Sequence, residues 1–233
     1  DVTGVQTCAL PICVLNLLEA VKNINSKIKI YQASSSEIFG NSADTDGYQR
    51  ETTKMMPVSP YGCSKLFAHN LCQSYRQSYN MHIVNGILFN HESPRRGTNF
   101  VTNKVIKEAV RIYHRLSNQL ALGNLESVRD WGHAKDYVRA MTLMMNIPEP
   151  GDYVCATGVS YTIRDLVAYV FGKLNLNYEK YVVQDPAYYR AIDVNYLKGD
   201  SSHLKNTTGW CPDYTYYTMI DEMIDYWMNH YRK

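Results

Sequence analysis

Apolar residues recur along the chain with two different periods. Val14, Leu17, Leu18 and Val21 share one helical face, so "VLNLLEAVKN" predicts a helix. Ile28 to Ala33 predicts a short strand that runs into three serines. Pro60 to Tyr79 predicts a long helix, with Pro60 suited to its first turn. "MHIVNGILFN" is nearly all apolar, as expected of a strand buried on both faces. Helical spacing returns over Phe100 to Leu116, with Val101, Val105, Ile106 and Ala109 on one face. Leu120 to Leu122 predicts a strand, and "RDWGHAKDYVRAMTLMM" predicts a loop entering a helix. Tyr153 to Ala156 predicts another strand. "YTIRDLVAYVFGKL" predicts a helix, with Thr162 and Asp165 at capping-box spacing. An amphipathic helix is expected over Thr215 to Tyr231.

Strands alternating with helices predict an α/β fold with a doubly wound, mainly parallel sheet covered on both faces. Ligands in such sheets bind beyond the carboxyl ends of the strands. Two polar stretches lie at such ends, "SSSE" after the first strand and "NHESPRRG" after the second. Beyond about residue 120 the chain is richer in tyrosine and less regular, which suggests a smaller second lobe. Residues 1–13 break the pattern. "VTGVQTCALPI" resembles the translation of a common sequencing adapter, so this segment is expected to be non-native and is set aside from fold reasoning.

Composition narrows the functional classes. With 233 residues, 45% of them hydrophobic, the chain can bury a sizeable core. A net charge of +2 gives no field that would select nucleic acid or a membrane surface. No apolar run approaches the ~20 residues of a spanning helix. The six cysteines are scattered without a CxxC pair, which fits reduced thiols in a cytoplasm. The seven histidines show no metal-ligand spacing, and no metal is expected.

Two stretches could carry chemistry. In "SPYGCSK", Tyr61 and Lys65 are four apart, so on a helix their Cβ atoms lie about 5–6 Å apart. An ammonium beside a phenol favours the phenolate and lowers its pKa from about 10. Such a tyrosine can take a proton from a substrate hydroxyl near neutral pH. Two fixed residues are a weak signal, and alone they fit an exposed aromatic beside a surface lysine better. Ser34, Ser35 and Ser36 alone read as a turn that ends a strand. Together with Glu37, Tyr61 and Lys65 they read as a site.

That combination resembles the short-chain dehydrogenase/reductase superfamily, in its extended, Rossmann-like branch. "YQASSSEIFG", "SPYGCSKLFA", "NGILFNHESPRRG" with "FVTNK", "LGNLESVRDWGHAKDYV" and "ATGVSYTIRDLV" are together similar to the GDP-mannose 4,6-dehydratase family. The resemblance runs from Val14 to the C-terminus. It implies that GDP-mannose becomes a 4-keto-6-deoxy sugar by internal redox through NADP and loss of water. Tyr61 would take the proton of the C4 hydroxyl as hydride passes to NADP. Lys65 would lower the pKa of Tyr61 and hold the nicotinamide ribose. Glu37 would remove the C5 proton and, with Ser35, assist departure of water from C6 before hydride returns there. His91 and Arg96 match cofactor-contacting positions, and Arg96 suits the extra phosphate of NADP. Asn90, Lys104, Arg129, Arg190 and Asp193 match positions that hold the nucleotide sugar. A cytoplasmic homo-oligomer, dimer or tetramer, is implied as well.

The chain also departs from the family's pattern. Ala191 follows Arg190 where proline is usual, and Asp193 replaces a glutamate. Thr208 stands where leucine is more usual, and "NYEKYVVQ" is shorter than in many relatives. No Gly-rich GxxGxxG turn is present, so an N-terminally truncated Rossmann-like domain is expected for residues 14–233, with weak or no NADP binding and no turnover by itself. Two other readings stand beside the dehydratase. One is a sugar-nucleotide epimerase of the same superfamily, which would have no use for Glu37. The other is a non-catalytic binding or assembly module.

Overall fold

The computed structural model describes residues 4–189 and 193–232. The first helix, α1 (Gly4–Asn25), carries Pro11 inside it. Its buried residues Leu18 and Val21 pack with Cys72 and Tyr75 of α2 (Pro60–Tyr79) and with Ile30 and Ile83 from the strands beneath. The helix α2 has the predicted bounds because its start is written locally. Ser59 accepts a hydrogen bond from Gly62 N at 3.0 Å, and Pro60 occupies the first turn. Asn80, in the left-handed conformation, ends it.

Three parallel strands form the central sheet, in the order β1 (Ile30–Ser35), β2 (Ile83–Leu88) and β6 (Asp152–Cys155). Every residue of β2 is buried, as its continuous apolar run predicts. The helices α1 and α2 cover one face. On the other, α4 (Ala134–Asn146) and α6 (Ser202–Thr208) bring Tyr137, Ala140, Met144 and Leu204 against Val84, Ile87 and Val154. The fold is Rossmann-like α/β.

The predicted strand over "MHIVNGILFN" divides in two. Past Phe89 the chain changes sheets, and β3 (Asn90–Glu92) pairs in parallel with β5 (Val128–His133). The loop expected at "RDWGH" is therefore a strand. Its polar letters hide the pattern, because they are buried and satisfied rather than solvated. The antiparallel partner of β5 is β7 (Ser160–Thr162). A third pair joins β4 (Leu120–Leu122) to β8 (Val182–Gln184) in parallel.

A separate apolar core unites α3 (Val101–Tyr113), α5 (Ile163–Lys173) and α7 (Tyr216–Tyr231) around Trp131, Leu166, Phe171 and Trp227. Val105, Ile106, Ala109 and Val110 of α3 belong to it as well. Thr162 and Asp165 form the predicted capping box on α5, and Thr215 with Thr218 forms one on α7. Cys13, Cys63, Cys72, Cys155 and Cys211 are free thiols. No helix among the described residues is long and apolar enough to cross a membrane.

Candidate active site

The serine run is a turn and a cluster of functional groups at once. Ser35 closes β1 in an extended conformation and caps a short 3-10 turn, Ser36–Phe39, by accepting from Glu37 N at 3.2 Å. The turn lifts Glu37 off the strand end toward the start of α2. There the Ser59 hydroxyl donates to Glu37 Oε2 at 3.0 Å. Gly62 permits this approach, since a Cβ at that position would stand 2.8 Å from the Glu37 carbonyl oxygen.

Tyr61 and Lys65 project from α2 over the end of β1. The Lys65 Nζ lies 5.7 Å from the centre of the Tyr61 ring and donates to the Ala33 carbonyl at 3.0 Å. The Tyr61 phenol lies within reach of the Ser35 side chain and of the charges of Glu37 and Arg96. Ser35, Glu37, Tyr61 and Lys65 thus converge on one place.

The expected depression of the Tyr61 pKa by Lys65 is absent. Burial and the Glu37 charge push the phenol above its usual value, against weaker opposing effects of Ser35 and Arg96. Burial alone lowers the pKa of Lys65.

One face of α2 continues the polar column below Lys65. His69, fully buried, places Nδ1 3.1 Å from the Ser34 hydroxyl, and Gln73 contacts His69 Nε2 at 3.1 Å. Gln73 also donates to Asp152 Oδ2 at 2.6 Å. His69 was not among the sequence candidates, although its position eight residues after Tyr61 puts it on the same helical face. Ser59 was also missed, and the Ser-Pro start of the helix was its signal.

The second wall comes from β3 and β5. Asn90, at the change of sheet, holds a buried Oδ1 that has no hydrogen-bond partner, an acceptor ready for an incoming donor. His91 places Nδ1 2.8 Å from the Phe89 carbonyl oxygen and stacks on Tyr137 at 4.8 Å. Burial keeps its imidazole below the usual pKa and therefore neutral at pH 7. Arg96 forms an ion pair with buried Glu92 at 3.1 Å and covers the Phe100 ring at 3.4 Å.

Lys104 is drawn inward rather than solvated. It donates to the Ala121 carbonyl at 2.7 Å and sits 3.7 Å from the centre of the Tyr188 ring. Arg129 donates to the Val128 carbonyl at 2.9 Å, and its other guanidinium nitrogen is 3.8 Å from Asp193 Oδ1. The structure therefore brings Arg129 and Asp193 together. Arg190 and Ala191 lie outside the described residues.

Asp130, beside Arg129, is another residue that sequence inspection missed. Its buried carboxylate accepts from Thr157 N, Thr157 Oγ1 and Gly158 N at 2.7–2.9 Å and from Gly199 N at 3.3 Å.

A family model described as GDP-mannose 4,6 dehydratase matches residues 7–223. The chain belongs to the GDP-mannose 4,6-dehydratase family. Among curated members of that family, the Arabidopsis thaliana GDP-mannose 4,6 dehydratase 1 is 46% identical over 215 residues, which is 91% of this chain and 59% of that protein. The human GDP-mannose 4,6 dehydratase is 41% identical over 244 residues, or 96% of this chain and 63% of its own length. The chain thus spans about three fifths of the length of these family members. Solved structures share the fold. The Pseudomonas aeruginosa RMD complexed with NADPH superposes with a TM-score of 0.84 at 24% identity, covering 93% of this chain and 72% of that one. The dTDP-glucose 4,6-dehydratase of Bacillus anthracis, in complex with NAD, gives 0.85 at 21% identity, covering 97% and 69%.

Proposed function

We propose that this chain carries the acid–base centre of a GDP-mannose 4,6-dehydratase, a hydro-lyase that forms GDP-4-keto-6-deoxymannose with NADP as resident cofactor. The observation that carries this is the convergence of Ser35, Glu37, Tyr61 and Lys65 in a member of that family. NADP, when bound, supplies a reversible hydride acceptor. Lys65 fits it: one ammonium N–H is used by the Ala33 carbonyl, which leaves two donors for a ribose diol.

The remaining chemistry belongs to the side chains. Tyr61 accepts the proton of the C4 hydroxyl, and the Ser35 hydroxyl beside it supports the phenolate. Oxidation at C4 acidifies the C5 hydrogen. Glu37, oriented by the Ser59 hydroxyl, takes that proton and delivers it to the departing C6 hydroxyl. The C5 proton therefore leaves in the water. The proton stored on Tyr61 is the one available to restore C5, so the site needs no net proton exchange with solvent.

Asn90, Lys104, Arg129 and Asp193, with Arg190, are proposed to hold the nucleotide sugar, and His91 and Arg96 the cofactor. Guanidinium and ammonium groups suit a diphosphate. A cytoplasmic homo-oligomer, dimer or tetramer, is the proposed setting. The non-native origin of residues 1–13 and a substrate lobe drawn mainly from residues after about 120 remain part of this proposal.

Because the chain is shorter than its relatives, two samples test the activity. One is the purified chain alone. The other is a chimera that adds the part of the Arabidopsis relative left uncovered by the match. The chimera is expected to convert GDP-mannose to a 4-keto-6-deoxy product, and the chain alone is not. A soluble chimera that binds NADP and leaves GDP-mannose unchanged would refute the proposal.

A further inference from the structure

The chain that leaves the Glu37 turn is tied directly to the opposite wall. Beyond Ser36–Phe39, Gly40 N donates to the Glu37 carbonyl at 3.2 Å, and Ser42 N donates to the Phe39 carbonyl at 3.0 Å. Gly40 has a φ of +59°, and a Cβ there would collide with the Met56 carbonyl oxygen. Only glycine fits so closely packed a left-handed turn. Asn41 is thereby held at a set place relative to Glu37.

From that place two side-chain amides hold residues 193–198. Asn41 grips the backbone with both ends of its amide: Nδ2 donates to the Asp193 carbonyl at 3.1 Å, and Oδ1 accepts from Asn195 N at 2.7 Å. Gln49 is fully buried. Its Nε2 donates to the Ser42 carbonyl at 2.8 Å and to the Tyr196 carbonyl at 3.4 Å, while its Oε1 accepts from Lys198 N at 3.2 Å. The Gln49 backbone adds two bonds, donating to the Lys198 carbonyl at 2.9 Å and accepting from Asp200 N at 3.0 Å.

The strand β5 holds the other edge of the same stretch. Val128 N donates to the Asn195 carbonyl at 2.8 Å, and Leu197 N donates to the Val128 carbonyl at 3.1 Å. Residues 193–198 therefore form a strap, with the loop from the Glu37 turn on one side and the ligand wall on the other. At its head the Asp193 carboxylate accepts from Val194 N at 2.9 Å and faces Arg129 at 3.8 Å.

We propose that Asn41 and Gln49 are positioning residues for the nucleotide sugar: their amides fix the backbone of residues 193–198 and through it set the Asp193 carboxylate beside Arg129, in register with Glu37. This rests on the dehydratase reading, in which Asp193 holds the substrate and Glu37 moves protons. Neither amide touches the reacting atoms, so their loss acts on substrate affinity before turnover.

The chimera with NADP and GDP-mannose provides the test. Asn41 is exposed, and Asn41→Ala should leave the melting temperature nearly unchanged. KM for GDP-mannose is expected to rise about fivefold to tenfold, the effect of two lost hydrogen bonds, with a smaller fall in kcat. A tie with a structural role alone would leave both constants of the folded enzyme in place, and that result would overturn the proposal. The cycle with Asp193→Ala is more discriminating. Because Asn41 acts through residue 193, adding Asn41→Ala to Asp193→Ala should raise KM by less than about twofold. A full, additive rise would equally overturn it. Gln49→Met leaves the Ser42 and Tyr196 carbonyls and Lys198 N without their partner and should lower both stability and affinity, but the decision does not depend on its folding.

One measurement needs no activity. In the full 233-residue chain, NMR hydrogen exchange at the Asn195 amide should be about fivefold faster in Asn41→Ala. Unchanged exchange would overturn the strap and leave the dehydratase proposal intact, whereas a chimera that binds NADP and makes no product would refute the dehydratase proposal without altering Asn195 exchange.

Discussion

The two walls of the site are built by different means. The floor at β1 and α2 is tied together largely by neighbours in sequence. Ser35 caps Glu37, Ser59 caps Gly62, and Tyr61 and Lys65 are one helical turn apart. The opposite wall at β5 is tied by residues far away in the chain. Asp130 gathers N–H groups from Thr157, Gly158 and Gly199, and Arg129 meets Asp193. The floor places the groups that move protons. The wall arranges the proposed ligand-binding groups and depends on the whole fold to do so. Damage to the floor should therefore show in rate, and damage to the wall in stability and substrate affinity.

The largest expected effect is on the floor. Tyr61→Phe in the chimera should lower turnover by about 10³-fold or more while leaving the melting temperature nearly unchanged. Conversion at the unaltered rate would remove Tyr61 as the base.

Next comes the wall. Asp130→Asn turns an amide N–H₂ toward buried backbone donors and should cost about 3 kcal/mol in chemical denaturation. In the chimera it should raise KM for GDP-mannose more than it lowers kcat. A larger effect on kcat would show that the two walls are not separable in this way.

Titration of the buried acids sharpens the contrast. Burial raises Asp130 from 3.8 to about 6 and Glu92 from 4.5 to about 7. Each keeps its proton in the folded state over a range where the unfolded chain has lost it. Their contribution to stability is complete below pH 4 and is lost as pH rises to about 7. Denaturation of Glu92→Gln against the parent chain should show a shallower decline between pH 4.5 and 7. Equal slopes would mean that Glu92 is ionised throughout that window.

The smallest effect returns to the floor. Ser59→Ala removes the cap of α2 and the donor to Glu37, and should cost about 1 kcal/mol. In the chimera it should also reduce turnover modestly, while KM stays near its starting value.

The same division decides what the sequence discloses. The bounds of α2 and the capping box at Thr162 are written in adjacent residues, and both are found where the pattern predicts them. The clustering of Ser35, Glu37, Tyr61 and Lys65 follows from a strand end meeting a helix start. The strand β5 escaped because its pattern is polar: Asp130 and His133 look solvated until their distant partners are in place. For the same reason the tuning of Tyr61 was misjudged. The spacing of Tyr61 and Lys65 is visible in one helix, but burial and the Glu37 charge, which push the phenol up, arrive from other segments. Glu92 was overlooked because a lone glutamate in a loop-like motif gives no sign that it will be buried.

The direct measurement of the acid–base assignment is the product formed by Glu37→Gln in the chimera, followed by NMR with GDP-mannose and NADP. With Tyr61 intact and the carboxylate gone, no 4-keto-6-deoxy sugar should accumulate beyond about one part in 10² of the parent rate, although NADP still binds. Formation of that sugar at the parent rate would show that another group removes the C5 proton, and the convergence at the end of β1 would lose its chemical meaning.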